Sequence, residues 1–415
     1  MHATVPCRSC GHTGLKVFLD LGETPLADRL VKPAELGEPE PRHPLQVGFC
    51  PGCAMVQITE TVPPETLFQD DYPYYSSFSD HLLRHSRENV LDLIERRRLC
   101  PNSMVVELAS NDGYLLKNYV EQGIGVLGID PAHGPAAAAE KIGVETIVDF
   151  FGLELARKLK AERGLEADVI HGNNVLAHVA DTNGFVAGIA EILHEDGVVV
   201  IEAPSVKELI ERCAFDTIYH EHLLYLSVTS FDNLFRRHGL YLNEVKPLDI
   251  HGGSLRFYAE KKENVGESVR TMLQRERAMG VDSLAYYVDF SRRVEELRDE
   301  LTALLRRLKA EGRSIAAYGA AAKGATLINY MGIGTDLVDF VVDRNVHKQG
   351  LHMPGQHQPI HAPEKLLEAR PDDVLLLTWN FADEILAQQR EYLERGGRFI
   401  VPVPHPRLVT VEDVR

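Results

Sequence analysis

No run of 18 apolar residues occurs in this chain, no basic segment followed by an apolar core opens it, and no stripe of lysine and arginine crosses it. The first two absences leave no membrane-spanning or secretory signal, so a soluble, cytoplasmic protein is expected. The third argues against nucleic-acid binding, since 44 Lys and Arg stand against 61 Asp and Glu, a formal charge of −17. A G-x-G-x-x-G fingerprint is also missing, which disfavours a dinucleotide ligand. What remains is 415 residues with 44% hydrophobic content, enough for packed cores in two or three domains.

Cysteine is scarce but patterned. Of six cysteines, four form two C-x2-C pairs, Cys7 with Cys10 and Cys50 with Cys53, while Cys100 and Cys213 stand apart. Each pair sits in a glycine-containing knuckle, and two knuckles are what a tetrahedral four-cysteine zinc site requires. Reduced thiols or a disulfide pair are the alternative, and cytosolic disulfides are rare. Four thiolates leave no open coordination position, so the Zn2+ would be structural.

The sequence then alternates apolar strands with helices. Met104-Val105-Val106 leads into residues 107–113 (ELASNDG) and then a helix, and a second strand runs Val126-Leu127-Gly128-Ile129 into Asp130. That is the layout of a Rossmann-like nucleoside site, in which a carboxylate ending the second strand accepts both ribose hydroxyls. Ala109 and Asn111 occupy the first two glycine positions of a dinucleotide loop, which favours a compact ligand such as S-adenosylmethionine; an ordinary strand-turn-helix is the bland alternative. Further strands are expected at 146–148, 168–171, 198–202, 241–245 and 255–260. A stripe of Val294, Leu297, Leu301, Leu304, Leu305 and Leu308 predicts a long packed helix. Beyond it the layout repeats: a strand at 314–318, a small-residue loop at 319–324 carrying Lys323, and a strand at 337–342 ending in Asp343, followed by strands at 374–377 and 399–401. The loop could receive a phosphate or simply let a helix sit close to the sheet.

Proton-transfer groups concentrate in Tyr219-His220-Glu221-His222. An extended backbone would put His220 and His222 on one face, whereas a helical turn would put Tyr219 beside His222. A histidine near a carboxylate suits general-base work; a hydrogen-bonded turn or a His220/His222 metal pair are the alternatives. Asn173, Asn174 and His178 follow the strand at 168–171, where the amides could hold substrate oxygens or cap a helix. Tyr72 to Tyr75 could cover a ligand or merely pack.

As an ordered set, the two C-x2-C pairs, residues 107–113, 173–178 and 219–222, His251-Gly252-Gly253-Ser254 and residues 319–324 resemble the S-adenosylmethionine-dependent sugar C-methyltransferases, in particular the C-3′-methyltransferases of antibiotic deoxysugar biosynthesis. The resemblance implies an α/β protein with a small zinc-binding N-terminal domain (1–75), a Rossmann-like methyltransferase domain (76–260) and a second Rossmann-like domain (261–415) that aids nucleotide-sugar binding. It implies His222 as the base, with Tyr219, Glu221, His178 and Asn174 in the same catalytic site. Glu107, Ser110, Asn111, Gly113, Asp130, Pro131 and Asn173 are expected to bind S-adenosyl-L-methionine. Tyr74, Tyr75, His251, Gly253 and Lys323 are expected to face the substrate, a nucleotide-linked 4-keto deoxysugar, with dTDP as the expected nucleotide. The enzyme is expected to act as a monomer. O- or N-methylation, C-methylation of another keto compound, and a non-catalytic zinc-containing binding protein are the competing readings.

Overall fold

The first strands alternate buried and exposed side chains while the later ones are apolar almost throughout, and this difference separates the sheets. In the computed structural model, which describes residues 5–63, 75–250 and 252–414, β1 (Lys16–Thr24) pairs antiparallel with β2 (His43–Phe49), and β2 with β3 (Val56–Ile58). Next come β4 (Met104–Leu108), β5 (Gly125–Ile129), β6 (Thr146–Ile147), β7 (Ala167–Asn173) and β8 (Leu193–Pro204), all parallel. Their runs of valine and isoleucine are those of strands covered by helices on both faces. β9 (Leu224–Tyr225) leaves that group and completes the N-terminal sheet beside β3. β10 (Tyr241–Leu248) and β11 (Ser254–Glu260) close a seven-stranded sheet of order β10-β11-β8-β7-β4-β5-β6. β11 is antiparallel and lies between β8 and β10. Without that inserted strand the order would be the 3-2-1-4-5-6 of dinucleotide-binding sheets.

The C-terminal sheet has that order outright. β12 (Ile315–Tyr318), β13 (Val341–Val342), β14 (Ile360–His361), β15 (Asp373–Leu376), β16 (Arg398–Val401) and β17 (Arg407–Val409) run β14-β13-β12-β15-β16-β17, parallel except for the last. The strand expected at 337–342 shortens to 341–342, because Leu337 and Val338 both donate their N–H groups to the Gly334 carbonyl in a turn.

The leucine stripe lies on the helix Leu284–Ala310, which begins ten residues before the stripe and also buries Tyr287 and Phe290. Tyr287 sits 5.1 Å from Phe18 and 5.2 Å from Phe49, so the helix packs on the N-terminal sheet. Each fully buried large side chain of the stripe contributes roughly 1.5–3 kcal/mol. Among the described residues, no helix is long and apolar enough to cross a membrane.

Candidate functional site

The four cysteines converge. Their Sγ atoms all lie within 4.8 Å of one another, with Cys7 and Cys53 3.5 Å apart and Cys10 and Cys50 likewise 3.5 Å apart. No disulfide links them. The two knuckles share one backbone pattern: Gly11 donates to the Cys7 carbonyl (2.8 Å) and Ala54 to the Cys50 carbonyl (2.9 Å). Both donors sit at positive φ, +73° and +59°, so in the second knuckle the left-handed residue is Ala54 rather than Gly52. Zinc bound tetrahedrally at about 2.3 Å from sulfur sets sulfurs about 3.8 Å apart, which this cluster fits. Burial and the neighbouring Cys53 push the Cys50 thiol up to about 11, a cost that a bound cation removes.

The loop after β4 keeps the backbone of a glycine-rich turn without its glycines. Ala109, Asn111 and Gly113 all have positive φ (+57°, +49° and +74°), although a residue with a Cβ resists this region by about 1–2 kcal/mol. Hydrogen bonds hold it there: Ala109 donates to the Ile129 carbonyl (2.8 Å) and the Asn111 N–H to Asp130 Oδ2 (2.8 Å). Asp130 Oδ1 accepts from the Ala132 N–H (2.9 Å), beyond the half-buried Pro131. From outside, the Ser76 N–H donates to Asn111 Oδ1 (2.9 Å) and the Ser77 N–H to Asp112 Oδ2 (3.2 Å). At Gly113 a Cβ would come within 3.1–3.3 Å of Val144, Ala139 and Ile142, so only glycine fits this turn. Ser110 is fully buried beneath the loop, where a Cβ on Gly128 would approach its hydroxyl to 2.5 Å.

Glu107 is 1% exposed, and neither carboxylate oxygen has a hydrogen-bond partner among the described residues. Burial, then Asp130, Asp112 and Glu202, raise its pKa well above the carboxylate range. Glu202 on β8 contrasts with it, because His85 Nε2 (2.8 Å) and Arg256 Nε (2.5 Å) both bind it. A buried carboxylate without a cation is unfavourable, and a positively charged ligand relieves it. S-adenosylmethionine, with an ammonium and a sulfonium, fits this pocket.

Residues 219–222 form a turn, with the His222 N–H donating to the Tyr219 carbonyl (2.9 Å). Of the two expected geometries the helical one holds. The Tyr219 and His222 rings lie 4.0 Å apart, and His178 is 4.9 Å from His222. The His220 ring instead reaches the Pro44 carbonyl (3.2 Å) and His43, so a His220/His222 metal pair does not form. His222 Nδ1 is 2.8 Å from the Thr217 carbonyl. A carbonyl only accepts, so Nδ1 carries the proton and Nε2 the lone pair. Burial lowers His178 to about 4, leaving it neutral, and burial followed by Asp28 pushes Glu221 up to about 8, leaving it protonated at neutral pH. Asn173 ends β7 and Asn174 follows it, at the switch point between β4 and β7. Neither caps a helix, since the following turn starts from Val175 without a side-chain cap. Their amide oxygens are buried and accept no hydrogen bond among the described residues. The Leu223 N–H donates to the Ala177 carbonyl (2.7 Å), joining the segments 173–178 and 219–222.

The expected substrate-facing residues scatter more widely. Tyr74 and His251 lie outside the described residues. Tyr75 stacks on Phe78 (5.5 Å) and reaches the start of the helix His133–Lys141, where a Cβ on Gly134 would meet its hydroxyl at 2.9 Å. Gly253 packs on Glu208, whose Cγ would be 2.6 Å from an added Cβ. Lys323 turns inward, 3.1 Å from Asn380 Oδ1, 3.6 Å from Asp216 Oδ2 and 3.9 Å from the Trp379 ring centre. Sequence reasoning missed Asp28 and Lys348. Asp28 of the N-terminal lobe interacts electrostatically with both Glu221 and Lys348, so three parts of the chain come near one another here. Nothing in a proline-rich lobe or an ordinary loop lysine signalled either residue.

Three family models cover the chain in order: "Putative zinc binding domain" over residues 7–68, a methyltransferase domain over 81–245, and a C-methyltransferase C-terminal domain over 249–404. The C-methyltransferase NovU of Streptomyces niveus is 36% identical over 410 residues, spanning 98% of this chain and 97% of NovU. Among solved structures, PH0226 from Pyrococcus horikoshii OT3 matches 46% of this chain and 97% of its own at 16% identity (TM-score 0.37). Magnesium protoporphyrin IX methyltransferase from Synechocystis PCC 6803 matches 48% and 89% at 11% identity (TM-score 0.34). The full-length likeness to NovU, with the domain models in the same order, places this chain in the family of zinc-containing, S-adenosylmethionine-dependent C-methyltransferases.

Proposed function

We propose that the enzyme methylates C-3′ of a dTDP-linked 4-keto deoxysugar, in antibiotic deoxysugar biosynthesis, with His222 as the base. The observation that carries this reading is the Thr217 carbonyl on His222 Nδ1, which leaves the lone pair on Nε2 beside Tyr219 and His178. A ketone at C-4′ acidifies the neighbouring C-3′ hydrogen. His222 Nε2 takes that proton, and the bond's electrons pass to the C-4′ oxygen as an enolate. Protonated Glu221, the Tyr219 hydroxyl and the Asn174 amide are the donors proposed for that oxygen. As electrons return from oxygen, C-3′ forms its new bond to carbon and the ketone is restored. Bound S-adenosylmethionine supplies the electrophilic methyl, its departing sulfur keeping the old bond's electrons. Glu107, Asn111, Gly113, Asp130, Pro131 and Asn173 hold this donor in line, with Ser110 supporting the loop from below. The C-terminal unit aids binding of the nucleotide-sugar.

The test needs no methyl donor. Enzyme and an authentic dTDP-4-keto deoxysugar in deuterated water should exchange the C-3′ hydrogen, followed by NMR. His222→Ala should slow exchange by about 10²–10⁴-fold. Absence of exchange by wild type would rule out the enolate route, and mass spectrometry of products from a panel of nucleotide 4-keto sugars identifies the acceptor.

A further inference from the structure

The C-terminal unit has a crevice where its strand order reverses, between β12 and β15, the place at which sheets of this kind receive ligands. Here a carboxylate of the same chain fills it. Asp216, fully buried, accepts a hydrogen bond from Trp379 Nε1 (2.7 Å) and lies 3.6 Å from Lys323 Nζ. Lys323 stands at the start of the helix Ala322–Met331 just after β12, and Trp379 in the turn just after β15. The same helix touches the residues around Asp216 along one face. The Thr326 hydroxyl is shared between the Ile218 carbonyl (3.3 Å) and the Ala322 carbonyl of its own helix (3.3 Å), and the Tyr330 ring lies 5.3 Å from Phe215. Lys323, Thr326 and Tyr330 follow the i, i+3, i+7 spacing of a single helical stripe. They grip residues 216, 218 and 215, on both sides of Thr217.

Thr217 is the residue whose carbonyl fixes His222 Nδ1. We propose that Lys323 and Trp379 form a socket for Asp216 and Thr326 a support for Ile218, which together position Thr217 and so hold His222 in its Nδ1–H tautomer. These are positioning residues, acting through the turn Phe215–Thr217. The C-terminal unit thereby takes part in proton abstraction as well as in binding. The socket also gives Lys323 a role other than counter-charge to a diphosphate. The tautomer assignment stands on the contacts alone, and its consequence for turnover rests on His222 being the base.

Selective ¹⁵N-histidine labelling reads the tautomer directly, with the His222 resonances identified by their loss in His222→Ala. Wild type should show the Nδ1–H form alone. Lys323→Met and Thr326→Val should each give a mixture of tautomers and slow C-3′ exchange about tenfold or more, with KM for the dTDP-sugar within twofold. Lys323→Arg should keep the single tautomer. Unchanged S-adenosylmethionine binding by calorimetry shows that the variants are folded, and Thr326→Val serves if Lys323→Met does not fold. A single, unchanged tautomer in both variants would overturn the proposal. So would a raised KM with exchange intact, which would return Lys323 to the diphosphate. If the tautomer responds but His222→Ala still exchanges, the socket stands and the base assignment fails.

Discussion

At the end of the second strand of each Rossmann-like unit, an aspartate accepts two backbone N–H groups in the same pattern. Asp130 accepts from Asn111 (2.8 Å) in the loop and from Ala132 (2.9 Å), two residues on. Asp343 accepts from Ala320 (2.7 Å) in its loop and from Asn345 (2.8 Å), again two residues on. The backbones agree, and the charges differ. The first site gathers Glu107, Asp112 and Asp130, and among the described residues no lysine or arginine is bonded to them. The second has Lys323 in the crevice and Lys348, whose Nζ donates to the Ala320 carbonyl (2.7 Å). One frame therefore carries opposite charge in the two units, and a few side chains around the loop decide which. The second crevice also differs in being occupied already, by Asp216.

The parallel substitutions Asp130→Ala and Asp343→Ala break this comparison most directly. Two charge-assisted hydrogen bonds to ribose are worth about 1.5–3 kcal/mol each, so Asp130→Ala should weaken S-adenosylmethionine binding by roughly 100-fold or more. Asp343→Ala should leave that affinity within twofold and weaken dTDP binding instead, both read by calorimetry. If both substitutions weaken the methyl donor, the two sites are not separate.

A smaller effect, of opposite sign in the two readouts, is expected at Glu107. Its folded-state pKa is raised, so the free protein holds a proton that the unfolded chain gives up above about pH 4.3. Stability of the ligand-free enzyme should therefore fall as pH rises from that value toward the raised one. Glu107→Gln should flatten the slope and raise Tm near neutral pH, yet bind S-adenosylmethionine roughly tenfold more weakly, since the cation favours the ionised carboxylate. Thermal melts across pH with and without ligand check both signs. A Tm unaffected by Glu107→Gln would mean that the carboxylate has a partner in the free protein.

The first of the two sites was far more legible in the sequence than the second. Apolar strands, Asp130 and Gly113 are local signals, and each appears where periodicity and turn chemistry place it. The absence of glycine at 109 and 111 was informative about the ligand but misleading about the backbone, because hydrogen bonds donated to the Ile129 carbonyl and the Asp130 carboxylate hold both residues at positive φ. In the second site, Lys323 stood out beside a small-residue loop, while its partner Asp216 lies more than a hundred positions upstream in another unit. Local pattern cannot report such a contact. The same holds for Asp28 and Lys348, and for β9, whose two residues pair with the zinc lobe because the tertiary fold carries them there.

Lys348 tests the sign of the second site with the smallest expected change. It is half-buried beside the 319–324 loop, and its charge opposes the desolvation that raises the Asp28 carboxyl, whose own charge helps keep Glu221 protonated. An exposed or partly exposed lysine bonded to an anion is worth at most about 1 kcal/mol, so Lys348→Ala should raise KM for the dTDP-sugar roughly fivefold and leave S-adenosylmethionine affinity unchanged. The loss should shrink as salt rises, because mobile ions screen the wild-type attraction that the variant lacks. Removing the lysine also takes away the cation that opposes the desolvation of Asp28, so that carboxyl should hold its proton to higher pH. A KM effect insensitive to salt would show that Lys348 acts through the Ala320 carbonyl and the shape of the loop, and the contrast in charge between the two units would lose its functional meaning.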